Sequence, residues 1–260
     1  MSFVLPLSIL LLYKYGESMQ ADVLAIGAHP DDLELACGGT IAKLVQQGSK
    51  VALCDLTRGE LGTRGTKEIR TEEAAKAAEI LGVVDRRNLN IPDGNIELSR
   101  KNILKVVSLI REFRPSILLI PYSIERHPDH VHTHELCKEA WYYSGLEKLK
   151  TTLGGTEQKR HRPHHYFEFI QWHEFEPSFI VDITDTFETK MDSVRAHTSQ
   201  FHNPQSKEPE TKLTRPDFLE VIATRCRHFG SKIGVKYGEP FISPFSLGIQ
   251  NPFDFTIIQG

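Results

Sequence analysis

Three short apolar runs, parted from one another by helical stretches, restrict what this chain can fold into more than any other feature. They are "DVLAIGA" (22–28), "KVALCDLT" (50–57) and "SILLIPY" (116–122). Each has the length of a strand and is apolar nearly end to end, the pattern of strands covered on both faces. "GGTIAKLVQQG" (38–48) reads as a helix closed by Gly48, and "KEIRTEEAAKAAEILG" (67–82) as a helix ending on Gly82. "LSRKNILKVVSLIREFRP" (98–115) is an amphipathic helix stopped by Pro115, and "RRNLNIP" (86–92) fits a further short strand. Such alternation predicts βαβ units, hence an α/β fold with a mostly parallel central sheet flanked by helices. Right-handed crossovers then deliver the strand ends to one edge of the sheet.

The second half is less regular. "HTHELCKEAWYYSG" (132–145), "DTFETKMDSVRAHTSQF" (185–201) and "DFLEVIATRCRHFGSKIG" (217–234) read as helices, "HYFEFIQW" (165–172) and "SFIVDIT" (178–184) as strands. Between them runs a polar loop over 203–216, and the tail "EPFISPFSLG" (239–248) adds a short strand or wraps the surface. No repeat or linker divides the chain, so residues 19–260 are expected to form one domain. Residues 1–18 are expected to be an extension outside it. The apolar run Phe3–Tyr13 is too short to span a bilayer and carries neither the basic start nor the cleavage site of a secretory signal, which leaves a membrane anchor as the alternative. A net charge of −3 gives no general attraction to nucleic acid or an anionic membrane. Cys37, Cys54, Cys137 and Cys226 are scattered, as expected of reduced thiols in a cytoplasmic protein.

Two histidine-bearing clusters follow predicted strands. "AHPDDLE" (28–34) closes the first strand, and "ERHPDHVHTH" (125–134) follows the run ending at Tyr122. Alone, either His-Pro-Asp could be a turn. Two of them at the same sheet edge, where ligands of open α/β sheets collect, point instead to a metal site. Histidine and carboxylate are the usual ligands of a catalytic zinc, which keeps one position for water and acidifies it. A further carboxylate off the metal could take the water's proton. Gly38 and Gly39 are expected to let the chain pass close to this site. They do not form a phosphate cradle, since neither G-x-G-x-x-G nor G-K-[ST] is present. His132 and His134 are expected to be partly at the surface of a helix starting near Asp129, and His161, His164 and His165 in a loop or rim.

The pair "AHPDDLE" and "HPDH" (127–130) resembles the signature of the PIG-L/LmbE-like zinc deacetylases, and the likeness extends over nearly the whole chain from Met19. "TRGELGTRGT", "EIRTEEA", "FHNPQSKEPET" and "GSKIGVKYGEPF" resemble the bacillithiol-biosynthesis branch, which deacetylates N-acetylglucosaminyl malate. The resemblance implies a Rossmann-like, LmbE-like fold, and His29, Asp32 and His130 as ligands of one zinc ion. Asp31 is then the general base, His127 stabilises the oxyanion or assists the leaving amine, and Asp129 holds a histidine in its tautomer. Iron(II) or another divalent ion would also suit these ligands. A sugar–malate substrate needs cations, for which Arg70 and Arg126 are first choices and Arg64 and Arg58 second. Glu34 orients a ligand or simply begins the helix. The family further implies a small-molecule sugar-conjugate substrate and a homo-oligomer, commonly a hexamer. A chitooligosaccharide or a thiol conjugate is an alternative substrate. A non-catalytic metal- or sugar-binding protein is a second alternative, against which the presence of Asp31 speaks.

Overall fold

The first strand, β1 (Val23–Gly27), is buried at every position, and its side chains divide between two cores. Leu24 and Ile26 pack on one face of the sheet, Val23 and Ala25 on the other. That division is what an unbroken apolar run requires. The structure is a computed structural model and describes residues 20–251, so the expected extension over 1–18 lies outside the described residues. After β1 come α1 (Asp32–Gln46), β2 (Val51–Asp55), α2 (Lys67–Leu81), β3 (Asp85–Asn88), α3 (Arg100–Phe113), β4 (Ile117–Pro121) and α4 (Pro128–Ser144). A small hairpin follows, β5 (Thr152–Leu153) with β6 (Thr156–Glu157). The chain then forms β7 (His165–Phe169), β8 (Phe179–Asp182), α5 (Phe187–Arg195), α6 (Phe218–Lys232) and β9 (Gly238–Ile242).

Seven strands form one sheet in the order β3-β2-β1-β4-β7-β9-β8. The run from β3 to β7 is parallel, and β9 is antiparallel to both β7 and β8. The predicted mostly parallel sheet is present, with the tail supplying β9. From β1 the chain builds outward through β2 and β3, then returns to place β4 on the other side of β1. That reversal is a switch point, where strand-end loops separate and leave a crevice. Ala25 lies opposite Leu119 in the ladder, so the segments leaving β1 and β4 emerge side by side. Helices α3 and α4 pack on each other over the core of Leu24, Ile26 and Ile120; α1 covers the other face with α5 against it. Among the described residues no helix is long and apolar enough to cross a membrane. The four cysteines are free and buried.

Helix α1 begins at Asp32 rather than Gly38, whereas α4 begins at Pro128, next to the start near Asp129 expected for the helix that carries His132 and His134. Proline suits the first helical turn, where its missing N–H costs no bond, and His127 caps it. Each motif therefore runs from the connection after its strand into the first turn of the next helix. Gly38 and Gly39 lie inside α1 and do not serve the site. A Cβ on Gly39 would stand 2.7 Å from Ile183 Cδ1, and one on Gly38 3.3 Å from Lys190 Cγ, so these glycines admit the elements packed on α1. The helix expected over 185–201 is the shorter α5, preceded by a single 3-10 turn.

Candidate metal centre

The turn after β1 is folded onto its own carboxylate. Asp32 Oδ2 accepts from Ala28 N at 3.0 Å and His29 N at 2.9 Å, which closes the chain from strand into helix. Between them Asp31 has φ 109° and ψ −25°, a left-handed conformation that a non-glycine residue adopts at a cost and that clusters at functional sites. Arg70 holds that turn in place. Its Nη2 donates to Pro30 O at 2.6 Å and lies 3.4 Å from Asp31 Oδ2, while Nη1 donates to Gly59 O at 3.1 Å. Gly59 is glycine of necessity: its φ is 65°, and a Cβ there would sit 1.8 Å from Arg70 Nη1.

The segment after β4 meets this turn. His130 Nε2 is 3.3 Å from Asp32 Oδ1, and His29 Nδ1 is 3.5 Å from Asp32 Oδ2. On the other side of the His29 ring, Nε2 lies 3.3 Å from Asp129 Oδ2 and 3.1 Å from Asp93 Oδ1. His127 caps α4 by accepting from Asp129 N at Nδ1, 3.2 Å away. A neutral His127 then carries its proton on Nε2. Two groups have donor atoms within 4.8 Å of one another: His29 with Asp32 and His130, and His29 with His127 and Asp129. The first is the set named from the sequence.

Charge at this point is out of balance. Burial disfavours a charged His29, yet Asp129, Asp32 and Asp93 outweigh it and hold the imidazole pKa well above its usual value. Burial also acts against Asp32, but His130 and His29 keep its carboxyl well below the ordinary range. Asp31 goes the other way: burial pushes it up to about 6 against the pull of Arg70. His127 is lowered by burial and by its neighbours His29 and His130. Four carboxylates thus surround a point where positive charge is favoured, whether a proton on His29 or a metal cation that displaces it. His130 Nδ1 is buried with no hydrogen-bond partner. Nitrogen and oxygen donors in this arrangement fit a divalent ion.

The site opens into a cleft of about 1080 Å³ that reaches from His29 to α6. Of the arginines named from the sequence, Arg70 and Arg126 line it and Arg64 and Arg58 do not. Arg64 is buried and turned to Glu208, 3.4 Å away, and to Phe201 O; Arg58 is exposed and donates to Asn90 Oδ1. Arg70 faces the cleft but is committed to Pro30, Gly59 and Asp31. Glu34 is fully buried with Arg86 and His197 as partners, which outweigh burial and hold its carboxyl down to about 2. These contacts tie the first turn of α1 to β3 and to the segment after α5. His134 is buried rather than partly exposed, with Nδ1 3.0 Å from Pro121 O, whereas His132 is at the surface. His161 lies 2.7 Å from Pro115 O, before β4, and neither it nor His164 or His165 lines the cleft. Asp93 was missed because "PDG" (92–94) reads as a turn, although it too follows a strand at the same sheet edge. Gln171 and Trp172, just beyond β7, line the cleft as well.

The family described as PIG-L, GlcNAc-PI de-N-acetylase, matches residues 24–141, the span holding both motifs. The chain is 34% identical over 229 residues to a diacetylchitobiose deacetylase of Thermococcus kodakarensis, covering 84% of this chain and 80% of that one. It is 28% identical to a probable N-acetyl-α-D-glucosaminyl L-malate deacetylase of Bacillus cereus, covering 70% and 84%. The crystal structure of a conserved protein of Thermus thermophilus superposes with a TM-score of 0.78 at 35% identity, covering 89% of this chain and 98% of that one.

Proposed function

The chain belongs to the PIG-L family of GlcNAc-type deacetylases, and from that membership we propose that it hydrolyses the N-acetyl group of a glucosamine conjugate with the help of one divalent metal ion. What carries this reading is the meeting of His29, Asp32 and His130 from two strand ends, with Asp31 beside them. When bound by those three residues, a zinc or iron(II) ion supplies Lewis acidity for the acetamide carbonyl and a water that ionises near pH 7.

The protein's own groups do the rest. Asp31, held by Arg70 and by its strained turn, takes a proton from the attacking water. His127 presents its Nε2–H to the oxyanion as the carbonyl carbon becomes tetrahedral, a contact worth about 3–4 kcal/mol if it forms only there. Asp31, now protonated, passes that proton on to the departing amine, and His127 stays a neutral donor throughout. Asp129 fixes His29 from behind, so the ring keeps one orientation through the cycle.

The preferred substrate is N-acetylglucosaminyl malate, on the segments that resemble the bacillithiol branch and on the Bacillus cereus relative. A second reading, an N-acetylated chitooligosaccharide, is favoured by the Thermococcus kodakarensis relative. Acetate release from both compounds by the metal-loaded protein decides between them. Dialysis against a strong chelator should stop hydrolysis and one equivalent of zinc should restore it. Hydrolysis that survives complete removal of metal would end this reading.

A further inference from the structure

We propose that Glu73 is a positioning residue: from one turn farther along α2 it fixes where Arg70 stands, and through Arg70 the base Asp31. The inference deepens the deacetylase reading, and its kinetic part rests on that reading. Helix α2 has little apolar surface with which to place its first half. Its buried residues are Arg70, Glu73, Ala74, Ala77 and Leu81, so the apolar ones lie in the later turns, while Ile69 points outward and is exposed. Ahead of Ala74 the inward face consists of Arg70 and Glu73, and what those two bond to decides where the helix start lies.

Glu73 is buried and forms no ion pair among the described residues. Its carboxylate instead accepts three short hydrogen bonds from the segment after α5. Oε1 accepts from Thr198 Oγ1 at 2.8 Å and Ser199 N at 2.6 Å, and Oε2 from Ser199 Oγ at 2.7 Å. Bonds to an ionised acceptor are the strong ones, so this tie is firm. The residues on either side bind the neighbouring elements. His197 Nε2 is 3.3 Å from Glu34 Oε2 in the first turn of α1, and Gln200 Nε2 donates at 2.8 Å to Arg64 O in the loop ahead of α2. Four successive residues, 197–200, thus join the three pieces of chain around Asp31.

Arg70 depends on that placement. Its two terminal nitrogens are engaged by Gly59 O, Pro30 O and Asp31, but its Nε is buried with no hydrogen-bond partner. Nothing fixes the guanidinium at its stem, so its aim follows the backbone of α2. A displacement of the helix start by about 1 Å along the bond to Pro30 O breaks that bond. The turn in which Asp31 is held at positive φ is then free to relax.

A double-mutant cycle on the metal-loaded protein separates positioning from plain stabilisation. Glu73→Ala should lower kcat for acetate release by about tenfold to a hundredfold. KM and metal content should not change, because Glu73 touches neither the substrate nor the ion. Glu73→Gln should recover most of the rate, since its carboxamide keeps an oxygen for Thr198 Oγ1 and Ser199 N and offers an N–H to Ser199 Oγ. In an Arg70→Lys background, Glu73→Ala should cost no further rate, as expected of two residues acting in series. Additive losses, or a kcat that holds while the thermal midpoint falls, overturn the proposal. If Glu73→Ala does not fold, Ser199→Ala enters the same cycle: a loss of about threefold that vanishes in the Arg70→Lys background supports the proposal, and an additive loss overturns it. Hydrogen exchange reads the link without turnover. In the altered protein the amides of 29–35 should exchange faster, Leu35 N among them, which donates to Asp31 O at 3.0 Å, while those of β9 keep their protection. Unchanged exchange over 29–35 overturns the proposal whatever the kinetics. Faster exchange there, in a protein that releases no acetate from either compound, supports the link from Glu73 to the turn and removes the deacetylase reading instead.

Discussion

Helix α1 is flanked by two nearly dry clusters of charge, and they are built on opposite plans. Near its middle, Lys190 Nζ meets Glu239 Oε1 at 2.6 Å and donates to Leu35 O at 3.1 Å. The same Glu239 accepts from Gly39 N at 3.0 Å and Thr40 N at 2.7 Å, so both of its oxygens are engaged. One cation and one anion are enclosed, with side-chain exposures of 0% and 2%. At the start of α1, Asp31, Asp32, Asp93 and Asp129 gather around the imidazoles of His29, His127 and His130 and the single guanidinium of Arg70, and His130 Nδ1 is buried without a hydrogen-bond partner. The first cluster is complete as it stands; the second keeps a buried donor unpaired and more carboxylates than fixed cations. Burial alone does not mark a functional site, since both clusters are buried. An excess of one charge with converging donors does.

The largest effect expected from this contrast is on the rate. Asp31→Asn removes the proposed base and keeps the shape, so kcat should fall by about a thousandfold or more. Metal content should stay at one equivalent, and the thermal midpoint of the metal-free protein should hold or rise, because a carboxylate is removed from a surplus. Turnover retained by this variant would take Asp31 out of the mechanism.

The complete cluster should respond in stability and not in metal content. Lys190→Met leaves Glu239 charged and buried with no counter-ion, a loss of about 3–5 kcal/mol in chemical denaturation. Adding Glu239→Gln should recover most of that loss, since the neutral amide still offers an oxygen to Gly39 N or Thr40 N. A Lys190→Met protein that keeps its stability but loses metal would show that the two clusters are one.

How much of this was legible beforehand follows the same division. That the two motifs reach one edge could be read because each ends an apolar run, and an apolar run fixes a strand whose end lies at a known edge. That β1 and β4 are neighbours came only from the order of the sheet, since strand order is set by packing and not by local sequence. Asp93 follows β3, whose strand was expected over 86–92, but it stands in "PDG" (92–94), and a turn signal hides a carboxylate's part in a site. Arg64 and Arg58 were misplaced because loop membership says nothing of where a long side chain points. Lys190 and Glu239 left no trace: one is a lysine in an ordinary helix, the other the first acid of a short tail, and their pairing is 49 residues apart. The start of α1 at Asp32 was missed because its motif looked like loop chemistry, when the Asp32 carboxylate was also closing the turn from strand into helix.

An intermediate effect belongs to Asp129, which touches the proposed ligand His29 and not the ion. Asp129→Asn keeps an oxygen for Gly94 N, now accepted from at 2.8 Å, but loses the charge facing His29 Nε2. Metal affinity should fall by about 10–100-fold in a competition titration with a coloured chelator. A loss far larger than that would favour the other donor group, His29 with His127 and Asp129, in which Asp129 binds the ion itself.

The smallest expected effect is the most direct test of the surplus. Asp93 contacts His29 Nε2 through Oδ1 and accepts from Leu61 N at 2.8 Å through Oδ2. Asp93→Asn can preserve the Leu61 bond with its carbonyl oxygen, so the change is mainly one of charge. If excess negative charge is what draws the cation, affinity should drop by no more than about tenfold while the metal-free protein keeps or gains stability. If instead Asp93 is part of a closed structural pair like Lys190 and Glu239, the balance reverses: the metal-free protein melts earlier and the affinity for the ion does not move. Measuring both quantities on the same variant therefore assigns Asp93 to one plan or the other, because a single buried carboxylate cannot be both surplus to the fold and required by it.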